Sequence, residues 1–237
     1  MTFRFALTTS IALAVGQAQA ANHSIRVDAG HYDRLDTPVR FQLPESGGAN
    51  WQLTGSDGKA LPVQLDERGT GTFILPKLTA FQTAVFTLSD AGKKAHASAV
   101  NVARQGSRLH FTLGGRTVMH YQAEKSELPR ADLERIYRRG GYLHPIVTPD
   151  GTVITDDYPH NHKHHHGIWF PWTNTEFEGR KPDFWNMGRG TGTVEFTGLQ
   201  GYWSGPVHAG FASLHQFVDL IAKPRKVALK ETWRVQV

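Results

Sequence analysis

Short segments in which apolar and polar residues alternate run along most of this chain of 237 residues. Successive side chains of a β-strand point to opposite faces, so a period of two indicates a strand with one buried face. Clear examples are Val39-Arg40-Phe41-Gln42-Leu43, Ala84-Val85-Phe86-Thr87-Leu88 and Leu109-His110-Phe111-Thr112-Leu113. Turn sequences such as Ser56-Asp57-Gly58 and Glu67-Arg68-Gly69 separate these segments. The pattern predicts an all-β protein of antiparallel strands.

The spacing of these segments divides the chain into two β domains. We expect a small N-terminal β-sandwich over residues 21–90, a small, polar linker over 91–99, and a larger β-sandwich domain over 100–237. The segment Leu229–Val237 alternates strongly and runs to the last residue. Because a strand needs neighbours for its backbone groups, this predicts either an edge strand or a truncated chain. We favour truncation, so the second sandwich is expected to be incomplete.

The first twenty residues have the features of a secretory signal peptide. Arg4 supplies a positive start, residues 5–15 are mostly apolar, and Ala18-Gln19-Ala20 forms an A-x-A cleavage sequence. We expect cleavage after Ala20 and a periplasmic or secreted protein. No later segment approaches about 18 consecutive apolar residues, so no transmembrane helix is predicted.

Composition excludes several chemistries. The chain has no cysteine, which excludes disulfides, thiolate metal sites and a cysteine nucleophile. The formal charge of +5 is spread along the sequence rather than concentrated in a stripe, so a nucleic-acid partner is not expected. The expected partner is a small-molecule or oligosaccharide ligand, and the sequence leaves the oligomeric state open.

A histidine-rich segment carries most of the functional information. Five of the thirteen histidines lie within seven residues, at His160, His162, His164, His165 and His166. The segment Ile168–Trp172 follows and is predicted to be an aromatic strand. A second aromatic group, Phe184-Trp185-Asn186, lies further along the chain.

One interpretation of this segment is a metal site. Neutral imidazole binds zinc, copper and iron, and such a site needs no cysteine. In an extended segment His160, His162, His164 and His166 share one face. Asp156 and Asp157 are candidate ligands or orienting partners. The cofactor would then be a divalent transition metal.

A second interpretation is a pocket for a carbohydrate. Sugar rings pack their C–H faces on aromatic side chains, while their hydroxyls bond to polar groups. The residues predicted to bind substrate are His144, Trp169, Trp172, Trp185 and Asn186. The residues predicted to be catalytic, through contacts with hydroxyls or proton transfer, are His164, His165, His166 and Asp183. Such an enzyme would be of hydrolase, lyase or epimerase type.

Two further interpretations involve no catalysis. The domain could be a binding module that holds a ligand without turnover. Alternatively, the histidines could bond to loop backbone while the tryptophans fill a core.

The segment resembles a bacterial family known as the PmoA family, which is widely labelled methane oxygenase. The resemblance is carried by Arg139–Ile146, Thr148–Gly151, Asp156–Pro159, His162–Phe170 and Asp183–Asn186. It implies a β-rich protein similar to sugar-binding supersandwich folds such as galactose mutarotase, in which histidines and a carboxylate act on a sugar ring.

Overall fold

The structure is a computed structural model that describes residues 23–43, 51–90 and 96–237. The predicted signal peptide (1–20) and residues 91–95 of the predicted linker lie outside the described residues. Two 3-10 helices are present in the described ranges, Arg135–Tyr137 and Met187–Arg189. No helix there is long and apolar enough to cross a membrane.

The described residues form fourteen β-strands, which confirms the predicted all-β class. The strands are β1 (His23–Asp28), β2 (Arg34–Gln42), β3 (Trp51–Thr54), β4 (Ala60–Pro62), β5 (Gln64–Leu65), β6 (Thr70–Leu78), β7 (Thr83–Asp90), β8 (Val100–Gln105), β9 (Arg108–Leu113), β10 (Arg116–Gln122), β11 (Tyr142–Ile146), β12 (Gly192–Trp203), β13 (Gly210–Asp219) and β14 (Lys226–Gln236).

Strands β1 to β7 form two antiparallel sheets, which we call the N-terminal sandwich. One sheet has the order β1-β7-β3-β4 and the other β2-β6-β5. Aromatic side chains from both sheets meet between them, and the rings of Phe73 and Phe86 lie 5.3 Å apart. Leu53, Leu75 and Leu88 are almost fully buried in the same core. Apolar burial between the two faces therefore holds this unit together.

Strands β8 to β14 form two further antiparallel sheets, the C-terminal sandwich. Their orders are β11-β10-β9-β8 and β12-β13-β14. Tyr121 of the first sheet stacks on Phe211 of the second, with ring centroids 4.1 Å apart. Leu109, Phe111 and Trp233 complete the centre of this core. Strand β14 pairs with β13 on one side and lies at the edge of its sheet in the described part of the chain.

Alternation predicted the regular strands well but failed between β11 and β12. The predicted aromatic strand over 168–172 is wrong, since only Ile168 forms a single bridge there, to Leu143. Gly167 allows this close approach, because a Cβ at that position would lie 2.0 Å from the carbonyl oxygen of Leu143. The segment therefore passes the start of β11 as irregular chain that pairs with the strand only at Ile168.

A buried glutamine joins the two sandwiches. The Oε1 atom of Gln64 accepts hydrogen bonds from the backbone N–H groups of Val207 (3.0 Å) and His208 (2.9 Å). Its Nε2 atom donates to the carbonyl oxygen of His208 at 2.9 Å. Gly205 makes room for the amide, since a Cβ there would lie 2.1 Å from Oε1. One side chain thus satisfies three buried backbone groups of the neighbouring unit.

Replacing Gln64 with Leu should lower the free energy of unfolding by about 2–4 kcal/mol, because two buried N–H groups lose their acceptor. Urea unfolding measures the change. The matched control is Gln42→Leu, at an exposed position whose amide makes only long contacts of 3.3 and 3.4 Å. A Gln64→Leu variant as stable as this control would contradict the proposed joining role.

Candidate functional site

The histidine-rich segment folds as two successive turns. The N–H of His162 donates to the carbonyl oxygen of Pro159 (3.0 Å), and that of His165 donates to the carbonyl oxygen of His162 (2.9 Å). Tyr158, whose φ is 52°, donates its N–H to the carbonyl oxygen of His165 and closes the loop. The side chains therefore radiate from a compact turn.

This geometry overturns one sequence prediction. The four histidines at alternate positions, His160, His162, His164 and His166, do not share one face, because the segment is not extended. His160 is exposed, His162 and His164 lie at the surface turn, and His166 points into the core. Hydrogen bonds within the turns, rather than a sheet neighbour, satisfy the backbone here.

Three histidines and two tryptophans are in ring contact and form what we call the His–Trp surface: His162, His164, His165, Trp169 and Trp185. His165 lies at its centre, with ring centroids 4.7 Å from His162 and 4.6 Å from His164. The indole Nε1 of Trp185 donates to Nε2 of His165 at 3.3 Å. The two indole rings lie 5.9 Å apart, edge to face. The surface therefore combines flat apolar faces with imidazole nitrogens.

Two histidines of this surface, His164 and His165, favour the neutral form. Partial burial, followed by the positive charges of His165 and His162, lowers the pKa of His164 below its usual 6.5. Burial and the charge of His162 lower the pKa of His165 in the same way. At pH 7 the rings of His164 and His165 thus each have one donor and one acceptor nitrogen, which suits contacts with hydroxyl groups.

A buried polar cluster lies beneath this surface: Arg139, Tyr142, Asp157, Tyr158 and His166. His166 is 2% exposed, and its Nδ1 lies 2.8 Å from Oδ1 of Asp157. The hydroxyl of Tyr142 donates to Oδ2 of the same carboxylate at 2.9 Å. Burial lowers the pKa of His166, although the hydrogen bond to Asp157 opposes the shift. His166 is therefore a neutral core residue that Asp157 orients.

Arg139 is the most unusual member of the cluster. Its side chain is 1% exposed, and its Nε and Nη1 atoms have no hydrogen-bond partner among the described residues. Burial lowers its pKa to about 9, so it remains charged at pH 7. Its Cζ atom lies 4.2 Å from the ring centroid of Trp169, in cation–π contact. His166 meets the same indole edge to face at 5.5 Å. The cluster thus positions Trp169 through Arg139 and His166. The same indole also contacts the rings of His165 and Trp185 in the His–Trp surface.

A hydrogen-bonded chain from the second sheet adjoins the cluster. Glu231 Oε2 lies 3.1 Å from Nδ1 of His215, and Nε2 of His215 lies 2.7 Å from the hydroxyl of Tyr121. Burial raises the pKa of Tyr121, which keeps the phenol neutral. None of these residues is among the functional residues predicted from the sequence. His215 lies on the inward face of β13 with Phe211, a position that the alternation of that strand could have revealed.

Asp183 organises the loop that carries Trp185. Its Oδ1 accepts the backbone N–H groups of Trp185 (3.0 Å) and Asn186 (2.9 Å). Its Oδ2 accepts Nδ2 of Asn186 (2.9 Å) and Nη1 of Arg189 (2.8 Å). Burial alone would raise the pKa of Asp183, but these hydrogen bonds and the charge of Arg189 outweigh it and lower the pKa. The geometry therefore gives Asp183 and Asn186 a positioning role.

Comparison with known proteins places this site within a family. The profile of a family of unknown function (DUF6807) matches residues 108–237, more than half of the chain. The chain belongs to the DUF6807 family. A search of curated proteins and a search of solved structures gave no match.

The DUF6807 region contains both the His–Trp surface and the buried polar cluster, while the N-terminal sandwich lies outside it. Among the described residues, no group of three or more His, Asp or Glu side chains is arranged to hold a metal ion. The ligand set predicted for a transition metal therefore does not fit this geometry. The physical reason is that His166 is buried and bonded to Asp157, while His160 is exposed at the other end of the turn sequence.

Two residues predicted to bind substrate lie apart from the rings of the His–Trp surface. Trp172 is 57% exposed, and no ring contact joins it to that surface in the described structure. His144 lies on β11, with its Nδ1 atom 3.0 Å from Oγ1 of Thr155. It faces a second histidine pair, formed by His110 and His120 on the outer side of the same sheet, whose ring centroids lie 4.6 Å apart.

Replacing Asp157 with Ala should lower the free energy of unfolding by about 2–4 kcal/mol, since both the imidazole of His166 and the phenol of Tyr142 lose a buried acceptor. The neighbouring Asp156→Ala is the matched control, because Asp156 is exposed and only caps a backbone N–H. Thermal or urea unfolding of the two variants gives the comparison. Equal losses in both variants would contradict the buried role assigned to Asp157.

His120 should make the protein sensitive to acid. Burial, followed by the charges of Arg108, His110 and His144, lowers its pKa from 6.5 to about 4. A lowered histidine pKa favours the fold above pH 6.5, and that stability is lost as the pH falls from 6.5 toward 4. Between pH 7.5 and 4.5, His120→Gln should lose less free energy of unfolding than the wild type, by on the order of 2 kcal/mol. Urea unfolding at both pH values measures this, and an unchanged difference would contradict it.

Proposed function

We propose that this DUF6807 protein binds a carbohydrate at the His–Trp surface, as a secreted or periplasmic protein. The observation that carries the proposal is the contact of His165 with Trp185 and its neighbours. This contact places neutral imidazoles, which can donate and accept hydrogen bonds, beside two indole rings. A sugar presents the complementary pair, C–H faces beside hydroxyl groups. The same ligand class is what the resemblance to the PmoA family expected from residues 139–186 implies, and that resemblance is part of the proposal.

The chemistry available at the surface is proton exchange with a bound hydroxyl. His164 and His165 are only partly buried, and their lowered pKa values leave them as neutral bases at pH 7. Nε2 of His164 is a buried nitrogen that has no hydrogen-bond partner among the described residues. Carbohydrate processing therefore rests on these two imidazoles. His166 and Asp183 act through packing and loop position.

Replacing His165 or Trp185 with Ala should weaken saccharide binding by about ten-fold or more. The first substitution removes the imidazole that contacts hydroxyl groups, and the second removes an indole face for the sugar ring. The change in unfolding free energy should stay below about 1 kcal/mol, since both residues lie at the surface. A glycan array on the full chain identifies the saccharide, and calorimetry then compares the variants. The matched control is His160→Ala, at an exposed position outside the ring contacts.

Retained binding in both the His165 and Trp185 variants would contradict the proposal. A parallel titration with EDTA addresses the metal-dependent alternative, since a chelator should leave binding at this surface unchanged. Turnover of the bound saccharide would extend the proposal from binding to processing, and Trp172→Ala shows whether the aromatic platform extends beyond the contacting rings.

A further inference from the structure

A basic pocket lies beside the loop that carries Trp185. Its volume is about 420 Å³, within the range of small-molecule sites. Four of its lining side chains are cationic: Lys125, Arg135, Arg138 and Arg225. A concave surface lined by one sign of charge raises the local concentration of oppositely charged ligands.

The carboxylate that lines this pocket is already paired with neighbouring side chains. Glu195 is the acidic lining residue, and its Oε1 atom pairs with Nη1 of Arg225 at 3.0 Å. Its Oε2 atom accepts the amide of Gln216 at 2.9 Å. Arg138 pairs with Glu127, but that carboxylate is 91% exposed and the ion pair is weak for that reason.

Lys125 and Arg135 are left uncompensated. Both are exposed, and neither has an ion-pair partner among the residues that the structure describes. The guanidinium of Arg135 offers a planar fork for oxyanions, and the ammonium of Lys125 adds a mobile point charge. The two groups therefore provide free donors at the mouth of a pocket whose other charges are paired.

The pocket adjoins the His–Trp surface along the chain. Met187 lines it, and Trp185 precedes Met187 by two residues, so their Cα atoms lie within about 7.6 Å of each other. The 3-10 helix Met187–Arg189 packs against the helix Arg135–Tyr137, which carries one of the free cations. A ligand larger than one sugar ring could contact both places.

We propose that this pocket binds an oxyanion carried by the saccharide, a carboxylate or a sulfate, so that the ligand of the His–Trp surface is an acidic carbohydrate. The inference rests on the proposed function for the identity of the ligand. The oxyanion site itself depends only on the charges of the pocket.

NMR titrations of the full chain with sodium glucuronate, sodium sulfate and glucose test the proposal, at an ionic strength held constant with sodium chloride because salt screens exposed charges. Wild-type protein should bind glucuronate about ten-fold more tightly than glucose, since hydrogen bonds to charged groups are stronger than neutral ones. Lys125→Gln combined with Arg135→Gln should remove this preference and weaken sulfate binding. The matched control is Arg68→Gln combined with Lys77→Gln, which removes the same charge from exposed positions on the N-terminal sandwich. This control should leave the preference for glucuronate and the affinity for sulfate unchanged.

Three other outcomes of these titrations would each overturn a specific part of the proposal. Anion binding that survives in the Lys125/Arg135 variant, or falls equally in the Arg68/Lys77 variant, overturns the pocket as the site. Glucose binding as tight as glucuronate binding overturns the acidic ligand and leaves the proposed function standing. Pocket-dependent sulfate binding without binding of any saccharide overturns the proposed function and the acidic carbohydrate together, and supports the oxyanion site alone. The glucuronate and sulfate titrations also distinguish a carboxylate ligand from a sulfated one.

Discussion

The hydrogen bond between His166 and Asp157 connects the histidine-rich turn to the core, and the candidate site depends on it. A turn rich in polar residues has little apolar surface to bury, so packing alone would hold it weakly. Burying one imidazole against an oriented carboxylate anchors the turn at its C-terminal end. Lys163 adds a second anchor through the carbonyl oxygen of Asp132, at 2.9 Å. These two contacts fix the turn that carries the three surface histidines, His162, His164 and His165.

Trp169 connects the buried polar cluster to the His–Trp surface. Its indole contacts the buried guanidinium of Arg139 and also the rings of His165 and Trp185. A buried cation without a hydrogen-bonded counterion is costly, and the cation–π contact offsets part of that cost. Such polar groups in a core are more typical of functional regions than of packing alone. The cluster and the surface are therefore one physical unit inside the DUF6807 region.

The regular strands could be predicted from sequence because their alternation reports burial directly. Ala84–Leu88 and Leu109–Leu113 lie within β7 and β9, where one face meets the core. The predicted strand over 168–172 and the predicted shared face of the histidines in 160–166 are wrong, because turn hydrogen bonds and the approach of Gly167 to Leu143 decide that path. Asp157 was considered as an orienting partner on its proximity in sequence to the histidines, and the structure gives it that contact with His166.

Local sequence patterns suffice for the all-β class, the positions of most strands and the concentration of histidine and tryptophan in one segment. These follow from local patterns, since residue type and period suffice to show them. The folded chain alone shows which histidine is buried, that Asp183 caps a loop, and that Arg139 contacts Trp169. Those facts depend on the path of irregular loops and on how they pack, and no local period encodes which side chains will meet there. The grouping of Lys125, Arg135 and Arg225 around one pocket has the same origin.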